Sequence, residues 1–343
     1  MIDFSKCNEL GAKNEGAQLK TSVLYNDEEY MIKFSDLSRY GGMNSKHIAE
    51  HVGSSIFSSC GIKSQETIVG IWTDDSGKQL PVVACKDFTQ NGDRLVEIVK
   101  VKNQYTSLSS GVIDNSVKMR QGINITDVDI IIQNSKMPMD KNLVMDCFWD
   151  MFVVDALIAN GDRHLGNWGI LIDKDKRYHF APIYDCGSAL AGRACNKMME
   201  LAYEDEKAFD RYERNALSLY KSGRGLIKYL EIFRSPPRAL SEAVLRIVPR
   251  ISVDTISGII KQTPGISDIC EAYLNKAIKM RYEQIIEPAY RQLVKTQNLR
   301  GVKQKGYVEK PPFADVLNIA KKQVYEHNNS NDKKKGKGRP PQR

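Results

Sequence analysis

No stretch of this 343-residue chain approaches the roughly 18 consecutive apolar residues that a membrane-spanning helix requires. The opening MIDFSKCNEL has an acid at position 3 and no apolar core, so a cleaved secretory leader is not expected. The seven cysteines (Cys7, Cys60, Cys85, Cys147, Cys186, Cys195, Cys270) are odd in number and scattered, and no two form a C-x-x-C pair. That argues against a disulfide framework and against a structural zinc site, and it fits a reducing cytoplasm. A Walker phosphate loop is also missing: Gly11 and Gly16 have its spacing, but Ala17 and Gln18 stand where lysine and a hydroxyl residue belong.

The formal charge of +8 would suggest a nucleic-acid partner, but its distribution does not. Lys333, Lys334, Lys335, Lys337, Arg339 and Arg343 face only Asp332 in the last thirteen residues, so the tail supplies +5 and everything before it +3. The main body is therefore too near neutral for nucleic acid to be its chief partner. Residues 326–343 are too polar to bury a core and are expected to be a disordered basic tail. Such a tail could touch nucleic acid or an acidic surface or, if the chain is delivered into a host cell, act as a nuclear-import signal.

With 41% hydrophobic and 27% charged residues the remainder has an ordinary globular composition, long enough for two lobes. Residues 17–34 alternate around YNDEE and read as a hairpin. Asn44 or Ser45 can cap a helix reaching about Cys60, and residues 65–88 give two strands around a D-D-S-G turn. Helical patterning then takes over at 141–160, 204–233, 238–249, 252–262 and 266–295, while 92–140 resists assignment. This is an α+β chain with a small β-rich lobe over 1–91 and a mainly helical lobe over 92–325.

The segment LIANGDRHLGNWGILID, Leu157 to Asp173, holds its polar residues between an apolar helix and an apolar strand. Asp162 precedes Asn167 by five residues. Protein kinases separate their catalytic aspartate from their metal-binding asparagine by the same offset, because a short loop must aim one group at the attacking hydroxyl and the other at Mg²⁺. The alternative for this spacing alone is a capped turn. Asp185 in YHFAPIYDCGSA follows a β-like run and precedes a glycine, where a second metal ligand would sit. Lys33 in the apolar strand YMIKF and Glu50 on the next helix complete a phosphoryl-transfer set in kinase order. An edge-strand lysine is the plain alternative for Lys33.

A rival pattern is HIAEH, His47 to His51, which matches the H-x-x-E-H helix of some zinc proteases and would claim Glu50 as general base. No third zinc ligand is identifiable from the sequence.

Taken together, EGAQLKTSVL, YMIKF, AEHVGSSIFSSCGI, ACKDF, NGDRHLGNWGIL and YHFAPIYDCGSAL resemble the HipA family of bacterial serine/threonine kinases. The resemblance covers residues 14–190. It implies a two-lobed kinase-like fold and ATP- and Mg²⁺-dependent phosphorylation of protein hydroxyls, with a toxin-like or effector-like role and self-phosphorylation as further expectations. It also implies roles for named residues. Asp162 would be the base, Asn167 and Asp185 would hold Mg²⁺, and Lys33, paired with Glu50, would bind phosphates. Gly16, Ala17, Gln18 and Lys20 would form the phosphate loop. Ala84, Cys85, Lys86, Asp87 and Phe88 would meet adenine through their backbone, and His164 would join the nucleotide site.

Two departures stand out. The phosphate loop lies almost at the start, as in a short form without the family's usual preceding domain. The serine that some members phosphorylate just before that loop is absent, leaving Thr21 and Ser22 as weak substitutes. A lipid or small-molecule kinase and a nucleotide-binding pseudokinase remain alternatives at this point.

Overall fold

In a computed structural model, which describes residues 1–11, 20–38, 41–89, 92–106, 122–223 and 225–299, the YNDEE break is a two-residue turn with Asn26 at φ 51° and Asp27 at φ 61°. Asn and Asp tolerate this left-handed region, and two successive positive φ values match the twist of the strands they join. Those strands, β3 (Lys20–Tyr25) and β4 (Glu28–Phe34), belong to a six-stranded sheet with β1 (Ile2–Asp3), β2 (Asn8–Gly11), β5 (Thr67–Thr73) and β6 (Gln79–Lys86). The order is β1-β5-β6-β4-β3-β2, with β1 parallel to β5 and the other pairs antiparallel. Asp74 closes the D-D-S-G turn by accepting bonds from the backbone N–H groups of Ser76 (2.9 Å) and Lys78 (3.0 Å).

Strand alternation divides this sheet into two faces. Tyr30 and Ile32 of β4 and Val82 and Ala84 of β6 bury themselves with Phe4 and Val23 in one apolar cluster. Met31, Lys33, Val83 and Cys85 must then point the other way, where helix α1 (Lys46–Ser59) packs through Ile48, Val52 and Ile56. Ser45 occupies the N-cap position of α1 without a side-chain cap bond, and Asn44 accepts from the Lys46 N–H at 3.3 Å instead.

The helical part is built around α4 (Lys141–Leu157), which is apolar on nearly every side and buries Phe148, Phe152, Val153 and Leu157. Asp140 caps its start, accepting from the Leu143 N–H at 3.0 Å. Its end is a Schellman motif: Ala159 lies at φ 52°, and the Asn160 N–H reaches the Asp155 carbonyl at 2.9 Å. The unassigned region contains β7 (Arg94–Glu97), α2 (Ile98–Thr106) and α3 (Ile125–Gln133). β7 pairs with β8 (Gly169–Ile172), and β8 with β9 (Tyr178–Phe180).

One expectation is corrected. Residues 204–233 are not one helical stretch but the end of α5 (Asn196–Glu204), α6 (Glu206–Arg214), a hairpin of β10 (Leu217–Ser222) and β11 (Gly225–Lys228), and α7 (Tyr229–Arg234). Leu217 is exposed while Ser218 and Tyr220 are buried, and Gly223 lies at φ 65°. The two-residue period and the S-G-R-G break in LSLYKSGRGLIK were the overlooked signal.

The later helices follow expectation as α8 (Arg238–Ile247), α9 (Val253–Gln262), α10 (Asp268–Arg281) and α11 (Glu287–Leu299), with a π turn at Tyr282–Ile286 joining the last two. Met1–Thr296 form one compact unit. The second unit, Gln297–Arg343, contributes only the end of α11 to the described residues, and the expected basic tail lies outside them. No helix among the described residues is long and apolar enough to cross a membrane.

Candidate active site

The alternation of β4 aims Lys33 at α1, where its Nζ lies 2.9 Å from Glu50 Oε1 and 3.4 Å from Asp185 Oδ1. Burial alone would lower the Lys33 pKa, but the two carboxylates outweigh it and hold the ammonium well above its ordinary value. Lys33 in turn keeps Asp185 below the usual carboxylate range against the effect of burial, helped by the charges of Arg163 and Lys20. Glu50 is 2% exposed and Asp185 44%, so the first fixes the lysine from within while the second remains open to a ligand.

Glycine sets the approach of α1 to the Asp185 segment. A Cβ on Gly53 would lie 2.7 Å from Cys186 Cβ, and one on Gly187 would lie 2.9 Å from Glu50 Oε2. Asp185 itself sits at φ 59°, a left-handed conformation that a non-glycine residue adopts at a cost on the order of 1–3 kcal/mol.

Asp162 and Asn167 hang on a loop fastened from beneath by Arg163. This buried guanidinium donates to Asp155 through Nε (3.0 Å) and Nη2 (3.1 Å) and to the Asn167 and Tyr184 carbonyls through Nη1 (2.8 and 2.5 Å). A single side chain thus ties α4, the 162–167 loop and the residue before Asp185 into one piece. Burial pushes the Asp155 carboxyl up, and the two-pronged contact is what retains the pair in the interior. Asn160 adds a bond to Asp155 at 2.9 Å and accepts from the Asp162 N–H at 3.1 Å.

Asn167 donates from Nδ2 to the Asp162 carbonyl at 2.9 Å, which leaves its amide oxygen as the end suited to a cation. Asp162 Oδ2 accepts from Arg193 Nη2 (2.9 Å) and Ser188 Oγ (3.1 Å). His164 accepts from the Gly166 N–H at 3.0 Å, and burial lowers its pKa.

The backbone of Ala84 and Cys85 is paired with β4 on one side and β5 on the other. The Lys86 N–H is bonded to the Glu66 carbonyl (2.9 Å), the Lys86 carbonyl accepts from Gln65 Nε2 (2.9 Å), and the Asp87 N–H is bonded to the Glu29 carbonyl (2.8 Å). Of the five expected adenine contacts, Phe88 alone has neither a ladder position nor such a bond, and its ring lies 5.7 Å from that of Tyr184. The Cys85 side chain faces Lys33, Glu50 and Asp185, and burial pushes its thiol up to about 12. Gly16, Ala17 and Gln18 lie outside the described residues, while Lys20 opens β3 opposite Lys33.

The HIAEH pattern is resolved by contacts. His47 Nδ1 lies 2.7 Å from Ser35 Oγ, His51 Nδ1 lies 3.0 Å from Thr67 Oγ1, and Glu50 is taken by Lys33. Among the described residues no three His, Cys, Asp or Glu side chains gather as metal ligands.

The HipA-like C-terminal domain family matches residues 13–248. This chain belongs to that family of serine/threonine kinases. As a HipA-like chain it is 35% identical over 305 residues to the serine/threonine-protein kinase CtkA of Helicobacter pylori, spanning 84% of this chain and 87% of that protein. The crystal structure of the H. pylori proinflammatory kinase CtkA superimposes with a TM-score of 0.75 at 32% identity, covering 86% of this chain and 99% of the other. A more distant likeness, of fold alone, is to HipA of Shewanella oneidensis in complex with HipB and operator DNA: TM-score 0.51, 14% identity, 83% of this chain and 67% of that one. The two-lobed kinase-like fold follows. Zinc proteolysis through HIAEH is set aside by this membership together with the commitment of Glu50 to Lys33.

Of the residues expected at the site, the structure brings Lys33 together with Glu50 and Asp185 and bonds Asn167 to the Asp162 carbonyl; Asp155 and Arg163, which hold this loop, and Ser188 and Arg193, which bond Asp162, were not singled out from the sequence. An acid at position 155 within an otherwise apolar helix was the available signal, because such a residue needs a buried partner.

Proposed function

We propose that this HipA-like kinase transfers the γ-phosphoryl group of ATP, bound with Mg²⁺, to serine or threonine hydroxyls of a protein. The observation that carries this reading is the bond of Lys33 to both Glu50 and Asp185, which connects the sheet, α1 and the Asp185 segment through one ammonium group. In the proposed reaction Asp162 takes the proton from the acceptor hydroxyl as its oxygen attacks the γ-phosphorus. Lys33 and Lys20 offset the charge on the phosphates, and the Asp185 carboxylate with the Asn167 amide oxygen would hold Mg²⁺. Two hard oxygen donors, one on each of the two segments that Arg163 ties together, suit that ion, which keeps several waters and takes its remaining ligands from phosphate. Bound there, Mg²⁺ would neutralise charge developing on the phosphoryl oxygens. Within the expected segment 84–88, adenine would meet the backbone at Phe88, and we place the lobe boundary at 88–95, just after β6 ends at Lys86. We assign 1–91 to the smaller lobe and residues from 92 to the larger.

The test is incubation with γ-labelled ATP and Mg²⁺, alone and with a generic basic acceptor protein, for the wild type, Asp162→Ala and Asp185→Ala. Label on serine or threonine that disappears in both variants is expected. Label confined to lipid or a small metabolite would transfer the reading to another kinase class, and ATP binding without any transfer would make the chain a pseudokinase.

A further inference from the structure

The hydroxyl that a kinase phosphorylates must donate its hydrogen bond to the catalytic aspartate, and one hydroxyl of this chain already does so. Ser188 Oγ lies 3.1 Å from Asp162 Oδ2, three residues beyond the proposed metal ligand Asp185. Arg193 flanks both, with Nη2 2.9 Å from Asp162 Oδ2 and 3.1 Å from Ser188 Oγ, and with Nε 3.4 Å from Ser188 Oγ. Ser188 is partly exposed and Asp162 is 29% exposed, so neither is sealed from a nucleotide. The hydroxyl therefore has its base, an adjacent metal-ligand position and a guanidinium ready to receive the product.

We propose that Ser188 is a self-phosphorylation site and that its modification switches the enzyme off. The proposal rests on the phosphoryl-transfer reading of the same residues. The Ser188 oxygen attacks the γ-phosphorus of ATP, the bond from that phosphorus to the β,γ-bridging oxygen breaks, ADP leaves, and the hydroxyl proton passes to Asp162. The resulting phosphoserine carries about −1.5 to −2 charges at neutral pH and three acceptor oxygens. Arg193 already points two donor nitrogens at the Ser188 oxygen, so it would exchange Asp162 for the phosphate in a charge-assisted pair. A dianion held beside Asp162 repels a second nucleotide's γ-phosphate and occupies the place of an incoming acceptor hydroxyl. This gives the chain a self-modification site at the base itself, although no hydroxyl precedes Gly16 in the phosphate loop.

Trypsin makes the site unambiguous, because the fragment Tyr178–Arg193 contains Ser188 as its sole serine or threonine. The full chain would be incubated with ATP and Mg²⁺ at several protein concentrations, and this fragment analysed by mass spectrometry alongside the rate on a basic acceptor protein. Phosphate should appear on Ser188, at a fractional rate unchanged by tenfold dilution because the reaction is within one chain. It should be absent from Asp162→Ala. Preincubation with ATP should lower the later rate on the acceptor protein at least tenfold in the wild type. Ser188→Ala should show no such time-dependent loss, whatever its starting rate, and Ser188→Thr should restore it. An acceptor protein that is labelled while Tyr178–Arg193 stays unmodified would overturn this inference and leave the kinase reading standing. Absence of label on every substrate would remove both.

Discussion

Arg163 and Asp155 form a buried, two-pronged ion pair eight residues apart, and the same guanidinium also holds the Asn167 and Tyr184 carbonyls. The two segments that the proposed reaction aims at one phosphate are thus fixed by a group that need never touch it.

Removing one partner of this pair should be costly. Arg163→Ala leaves Asp155 charged and buried with only Asn160 beside it, which is expected to destabilise the fold by roughly 3–5 kcal/mol. Arg163→Lys should recover only part of this, because one ammonium cannot span a carboxylate and two carbonyls. Urea denaturation of the three proteins measures both effects, and near wild-type stability for Arg163→Ala would contradict the account.

Lys33 and Glu50 should separate in their kinetics. Under the proposed function Lys33→Met removes a cation from the phosphates and should lower kcat on the order of 10²–10³-fold, the range for losing a preorganised electrostatic donor. Glu50→Gln keeps a hydrogen-bond acceptor near Nζ, so Lys33 remains placed mainly by Asp185 and the loss should be smaller. Steady-state kinetics at saturating ATP would decide, and equal losses would show Glu50 to be doing more than orienting the lysine.

Asn167→Ala should raise the magnesium concentration needed for half-maximal rate by at least the 10–100-fold typical of disturbing a metal site's supporting contacts. A chelator should stop the wild-type reaction, and added Mg²⁺ should restore it. A magnesium titration unchanged in Asn167→Ala would remove that residue from the metal site.

His47 predicts an acid-sensitive fold. Burial lowers its pKa from 6.5 to about 4. Between those values the unfolded chain binds a proton that the folded chain does not, so stability is lost as pH falls from about 6.5 to 4, by at most ~3 kcal/mol from this group. Burial lowers His51 and His164 in the same direction. His47→Asn should flatten the stability profile over that window relative to wild type, whatever its absolute stability, as read by denaturation at pH 4.5 and 7. Parallel profiles would refute this role.

Much of the site could be read in one dimension because its chemistry is spaced along the chain. The offset from Asp162 to Asn167, the apolar strand around Lys33 and the glycine after Asp185 are local requirements, visible as residue types at short intervals. The hairpin at Asn26–Asp27 and the helices with Asp140, Ser252 and Ser267 at their starts are also local, since caps and turns act within a few residues. The helix expected across residues 215–228 failed because apolar content was weighed above its two-residue period.

The partners of those groups were decided elsewhere. Whether Glu50 serves Lys33 or a zinc ion depends on which face of β4 meets α1, and that follows from Ile32 and Ala84 burying themselves on the opposite face. The meetings of Arg193 and Ser188 with Asp162 close loops of 31 and 26 residues, and no sequence interval encodes them. The sequence by itself determined which residues carry charge and hydroxyl chemistry and which strands and helices present them. Only the tertiary structure decided which of those groups face one another, because side-chain direction is set by what the rest of the chain must bury.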